Sequence, residues 1–123
     1  MSDKPDMLEL TLPWPPKALS PNARVHYMEK SRHTKAYRME GFAAAHQAGW
    51  KNYQGEGEIH LRLEFYPPSK RHHDQDNMIA SIKAGLDGIA QSMGVNDNRF
   101  RLHPGMGDNV GGYIKVSIVK GAT

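Results

Sequence analysis

The sequence predicts an α+β protein in which two helices pack on a small mixed β-sheet, in the chain order β-α-β-α-β-β. Three observations predict it. Residues 58–66 alternate, with Ile59, Leu61, Leu63 and Phe65 on one face, the strongest strand signal in the chain. Met78, Ile82, Leu86, Ile89 and Met93 recur at steps of four and three, an apolar stripe at helical spacing. Shorter alternating segments stand near both ends of the chain, with a second helical pattern between the first two strands.

Residues 1–6 are expected to be frayed, and Met7 to Leu12 alternates apolar with polar as a first strand. Pro13-Trp14-Pro15-Pro16 ends it, because proline has no N–H to give to a ladder. From Lys17 to about His33 the chain reads as an irregular basic loop, with turn signals at Ser20-Pro21-Asn22 and Glu29-Lys30-Ser31-Arg32. A first helix is expected from near Thr34 to Ala48, with Tyr37, Gly41 or Phe42, Ala45 and Ala48 facing inward. Gly49 and the turn Gly55-Glu56-Gly57 lead into the strand 58–66, which Pro67-Pro68-Ser69 stops. The second helix follows. Its Ser81, Ala84, Gly85 and Gly88 form a small-residue face that admits a close backbone neighbour, with the sheet favoured over a second subunit. Beyond Gly94 come a short strand at Phe100–His103, a turn from Gly105 to Gly112, and a last strand from Tyr113 to Val119.

A chain of 123 residues, 38% hydrophobic and 24% charged, is expected to form one soluble globular domain. No apolar run reaches the length of a membrane span, and the absence of cysteine excludes disulfides, a thiolate nucleophile and Cys-based zinc sites. A cytoplasmic location fits these features. The net charge of +3 is unevenly spread: Lys17, Arg24, Lys30, Arg32, Lys35 and Arg38 stand against a single acid, Glu29, and Lys70-Arg71 form a second basic knot. Concentrated positive charge attracts polyanions. Lys17, Arg24, Lys30, Arg32, Lys35, Lys70 and Arg71 are therefore the candidate phosphate contacts, although a charge run also serves as a solvated face. Tyr27 and Tyr37 are candidates either for base stacking or for burial.

The chemistry concentrates at Asp74-Gln75-Asp76-Asn77, at the mouth of the second helix. A single aspartate there needs no more explanation than an N-cap. Two carboxylates and an amide within four residues place several hard oxygen donors at one point, and such donors suit Mg²⁺ or Mn²⁺. Asp76, Lys83 and Asp87 are seven and four residues apart on this helix and share one stripe, so the two acids and the lysine face the same way. Asn96-Asp97-Asn98 either folds back to complete a ligand set or is an ordinary turn. His72 and His73 read as phosphate contacts or exposed loop residues, and the other histidines lack zinc-site spacing.

Taken in order, several segments resemble the motifs of the RusA-like Holliday junction resolvases, the crossover junction endodeoxyribonucleases of bacteria and their prophages. They are Leu12-Pro13-Trp14-Pro15-Pro16, Pro21-Asn22-Ala23-Arg24, Tyr37-Arg38, Asp74-Gln75-Asp76-Asn77, Lys83-Ala84-Gly85-Leu86-Asp87 and Asn96-Asp97, and they span most of the chain. The resemblance implies a homodimeric, Mg²⁺-dependent endonuclease that nicks four-way DNA junctions symmetrically in recombination and repair. It implies metal binding by Asp74, Asp76 and Asp97, with Lys83 as the essential lysine and Asn77 and Asp87 in support. Some members carry the lysine about one helical turn closer to the Asp-x-Asp pair, and some have two adjacent acids where this chain has Asn96-Asp97. A non-catalytic junction-binding protein and a hydrolase of small phosphate esters are the rival expectations.

Overall fold

The computed structural model describes residues 9–70 and 73–119. The expected fraying of residues 1–6, the first two residues of the predicted first strand, Arg71 and His72 lie outside the described residues.

A four-stranded mixed sheet carries the helices on one face. Its strands are β1 (Glu9–Pro13), β2 (Ile59–Tyr66), β3 (Phe100–Met106) and β4 (Tyr113–Ile118), in the spatial order β1-β4-β2-β3. β4 runs antiparallel to both β1 and β2, and β3 runs parallel to β2. The alternation seen in the sequence is the alternation of the pleat: Ile59, Leu61, Leu63 and Phe65 are buried, with Ile114, Val116 and Ile118 beside them and Leu10 and Leu12 beyond. β3 extends further than expected and runs through Pro104. As an edge strand it tolerates a proline, whose missing N–H would have pointed away from the sheet.

The first helix, α1, spans Tyr27–Gln47 and so begins seven residues before the predicted Thr34. His26 caps it, its Nδ1 accepting from the Met28 N–H at 3.2 Å. The early turns are exposed, and an exposed polar helix shows no apolar stripe to announce it. Farther along, Tyr37, Gly41 and Ala45 face inward as expected, whereas Phe42 is exposed. Tyr37 donates its hydroxyl to the Pro13 carbonyl at 2.6 Å, and burial pushes its phenol well above the usual range. It is a core residue, so base stacking by Tyr37 is excluded. Tyr27 is 74% exposed and stacks on His26 at 4.7 Å.

The predicted second helix is two segments, α2 (Gln75–Ser81) and α3 (Lys83–Met93), broken at Ile82 with φ −99° and ψ 5°. The break has a local cause. Ser81 Oγ donates to the Asn77 carbonyl at 2.8 Å, a back-bond that bends helices. The Ile82 N–H is then shared between the carbonyls of Met78 at 3.3 Å and Ile79 at 3.2 Å. Ile82, Leu86, Ile89 and Met93 still point into the core. The small-residue face, expected to meet the sheet, instead lies chiefly against α1: a Cβ on Gly41 would strike the Gly85 carbonyl, and one on Gly88 would strike the Arg38 carbonyl. That face is occupied within the chain, which removes it as a dimer interface. Among the described residues no helix is long and apolar enough to cross a membrane.

Candidate active site

Asp74 is the N-cap of α2. Its Oδ1 accepts from the backbone N–H of Asp76 at 2.9 Å and of Asn77 at 3.2 Å, satisfying two donors that the helix start would leave orphaned. Asp76 stands exposed in the first turn, where the helix dipole favours a negative charge. Asn77 and Asp74 line a cleft with Trp14. The cap separates two roles of Asp74 that the sequence leaves merged. Asp74→Ala is expected to cost about 1 kcal/mol of stability, whereas Asp74→Asn keeps the capping oxygen and removes only the charge. Equal urea midpoints for Asp74→Ala and wild type would remove the cap from this account.

Lys83 opens α3, one residue past the break. Its Nζ donates to Asp87 Oδ1 and to Asp97 Oδ2, both at 2.7 Å. The partner at the i+4 position is local; the other reaches across fourteen positions of sequence, from a helix to the short 3₁₀ turn Asp97–Arg99. That turn is pinned. Asn96 Oδ1 caps it by accepting from the Asn98 N–H at 2.9 Å, and Arg99 donates to the carbonyls of Gly57 at 2.7 Å and Gly55 at 2.8 Å. Asn96 thus caps the turn with its amide oxygen. The Asn-Asp-Asn run is both a turn and the segment that carries Asp97 back to the helix.

Hydrogen bonds to Asp87 and then Asp97 hold the Lys83 ammonium above its usual 10.5, and the Lys83 hydrogen bond holds Asp97 below its usual 3.8. The sign follows from linkage. The aspartate's contribution is complete above pH 3.8 and is lost as pH falls through the lowered value; the lysine's is complete below pH 10.5 and is lost as pH rises through the raised one. The stability difference between wild type and Lys83→Met should therefore be flat through neutral pH. A step in that difference between about pH 5 and about pH 8 would point to a histidine partner instead.

The described side chains bring Lys83, Asp87 and Asp97 together, around a shallow depression also lined by Gln91 and Val95. They do not bring Asp74, Asp76 and Asp97 together as a ligand set: among the described residues no three His, Asp or Glu side chains gather in a metal-holding group. Asp97 is turned to Lys83, and one oxygen of Asp74 is committed to its cap. Nor do Asp76 and Lys83 share a continuous stripe, since the break at Ile82 lies between them.

The basic candidates are dispersed. Lys17 sits in a 3₁₀ turn and lines the cleft beside Asp74, and Arg24 is exposed in the following loop. Lys30 and Arg32, expected on the loop, are exposed on α1 together with Lys35; at about 100° per residue, Arg32 and Lys35 share one side while Lys30 points away from it. Lys70 lies exposed after β2. His73 is half-buried: its ring stands edge-on to Trp14 at 5.9 Å, with Nε2 buried. Sequence spacing also missed a contact between parallel neighbours, His60 Nδ1 to His103 Nε2 at 2.7 Å, with His60 Nε2 3.3 Å from Glu58. Strand register makes that pair, and register is not written in local sequence.

No family model matches the sequence. A protein of Xylella fastidiosa (strain Temecula1 / ATCC 700964), described as an uncharacterized protein, is 44% identical over 112 residues, covering 89% of this chain and 73% of that protein. The alignment is long enough, at an identity high enough, to show common descent, and the chain belongs to one family with that Xylella protein.

Proposed function

We propose that this protein is a structure-selective DNA endonuclease that resolves four-way junctions by paired nicks, working as a cytoplasmic homodimer in recombination and repair. The observation that carries the proposal is the convergence of Lys83 and Asp97, distant in sequence and both within motifs that resemble those of the RusA-like resolvases. An ammonium fixed between two carboxylates is a positioned cation, able to hold a phosphate oxygen once one carboxylate releases it. Asp87, at the i+4 position, keeps the side chain aimed when Asp97 turns away.

Mg²⁺, or Mn²⁺, is the proposed cofactor, with Asp74, Asp76 and Asp97 as its oxygen donors. The described arrangement is not yet such a set, so ion binding requires the Lys83–Asp97 pair to open. When bound, the ion would neutralise the scissile phosphate and activate water. Dimerisation matches the two-fold symmetry of a four-way junction, giving each strand of a pair its own site.

The test is cleavage of labelled four-way junction and linear duplex, with and without Mg²⁺, together with a salt titration of binding. Junction-selective, Mg²⁺-dependent nicking is expected, with log affinity falling by about 0.9 per phosphate neutralised for each tenfold rise in salt. Tight, steeply salt-dependent junction binding with no nicking under either divalent ion would favour the rival junction-binding protein. That rival draws on the ungathered aspartates. A flat titration would leave Arg24, Arg32 and Lys35 as solvated surface.

A further inference from the structure

A cleft of about 600 Å³ opens beside Asp74, between the Trp14-Pro15-Pro16 segment and the Pro68-Ser69 loop. We propose that it takes one unstacked nucleobase of the bound DNA strand. The proposal rests on the endonuclease reading for its ligand class, and on the cleft's own geometry for its shape.

The size fits a nucleotide and lies within the usual range of small-ligand sites, about 300–1,000 Å³. The walls are flat and stiff. Trp14 stands edge-on to Phe65 at 6.3 Å and 82°, so its indole is oriented before any ligand arrives. Pro15 and Pro16 continue that wall, and proline's fixed φ leaves little freedom to lose on binding. Phe65 and Ile82 are fully buried and back the cleft from beneath, so the apolar surface open to a ligand is that of Trp14, Pro16 and Pro68. Aromatic and apolar surfaces of this kind are what stacked bases meet in single-strand binding proteins.

The polar groups are few and convergent. His73 Nε2 is buried without a hydrogen-bond partner among the described residues, and His73 lines the cleft. Its contact with Trp14 is an edge-on ring contact, which does not replace a hydrogen bond. A buried nitrogen left in that state is destabilising until a partner reaches it. The Asn77 amide lines the same cleft and offers both donors and an acceptor, as a base edge requires. Lys17, also at the lining, supplies a cation for a neighbouring phosphate. Asp74 lines the cleft, so a strand lying at that acid would have a base within reach of it. Unstacking a base costs least where its pairing or stacking is already weakened.

The experiment has two arms. In the first, ¹⁵N-labelled protein without metal is titrated with deoxynucleoside monophosphates and separately with deoxyribose 5-phosphate. The nucleotides should move the Trp14 indole and His73 ring resonances, and the sugar phosphate should not. His73→Phe, which keeps a ring against Trp14 but removes the nitrogen, should weaken nucleotide binding about tenfold, or 1.4 kcal/mol. In the second, Mg²⁺-dependent cleavage is measured on junctions with single abasic sites stepped along the strand near the branch point. One position should cut about tenfold more slowly than the intact junction, and Ser69→Phe, which fills the cleft, should cut both at the same reduced rate. Melting curves of both variants confirm that they fold. Nucleotide-specific shifts without cleavage of any junction would support the base site and sink the nuclease reading. Junction cleavage indifferent to every abasic site, with sugar phosphate and nucleotide acting alike on Trp14, would overturn the base site and leave the nuclease standing.

Discussion

Gly88→Val is expected to destabilise the protein by at least about 3 kcal/mol, lowering the melting temperature by roughly 10 °C. On an isolated helix, replacing glycine would help, by up to about 1 kcal/mol for alanine. Here a Cβ at Gly88 would overlap the Arg38 carbonyl oxygen and stand 2.8 Å from the Phe42 nitrogen. Both obstacles are backbone atoms inside α1, which no rotamer change removes, so the helices must separate. Separation opens space around Tyr37 and Ala45, buried on the same side of α1, and lost packing adds to the overlap. Gly41→Ala meets the Gly85 carbonyl and should behave similarly. Gly105→Ala is the control, because nothing lies within 4 Å of its added Cβ. A Gly88→Ala protein more stable than wild type would mean that α1 and α3 do not touch there.

The glycines show what sequence carries and what it withholds. Ser81, Ala84, Gly85 and Gly88 announce a face that something approaches closely, and that much was legible. The partner was not, because a small-residue stripe specifies a distance and not a neighbour. α1 supplies the rest of the explanation: its early turns are exposed and polar, so the element that fills the gap looked partly like loop. Where burial imposes periodicity, as in Ile59–Phe65 or Ile82–Met93, the elements could be read directly. The interruption at Ile82 escaped because Ser81 bends the helix through a hydrogen bond that leaves the apolar spacing intact.

The site divides along the same line. Lys83 and Asp87 are an i+4 pair and could be paired from spacing alone. Asp97 could be suspected but not placed, since its position depends on Arg99 gripping the carbonyls of Gly55 and Gly57 more than forty residues earlier. Asp74 carries a capping role and a proposed ligand role, and the cap is the part that local sequence rules anticipate. The distribution of the basic residues depends on whether residues 27–33 are loop or helix, because only a helix turns Lys30 away from Arg32 and Lys35.

Lys83→Ala is expected to reduce junction cleavage by at least 10²-fold, about 2.7 kcal/mol of transition-state stabilisation, while changing stability by less than about 1 kcal/mol. The two numbers come from different places. Lys83, Asp87 and Asp97 are 61%, 38% and 39% exposed, so their ion pairs are screened by water and contribute little to folding. A phosphate closing over the site excludes that water, and the same ammonium then acts where its field is strong. Lys83→Arg should recover little, because a planar fork does not replace a compact ammonium seated between two carboxylate oxygens at 2.7 Å. Asp87→Asn should lose less, since it aims the lysine without meeting the substrate, and Lys83→Ala in the Asp87→Asn background should cost nothing beyond Lys83→Ala alone. The competing account makes Lys83 a surface pair and nothing more. On that account all four variants cut at the wild-type rate, and a Lys83→Ala enzyme that resolves junctions at full speed would remove the Lys83–Asp97 contact as the support for the nuclease assignment.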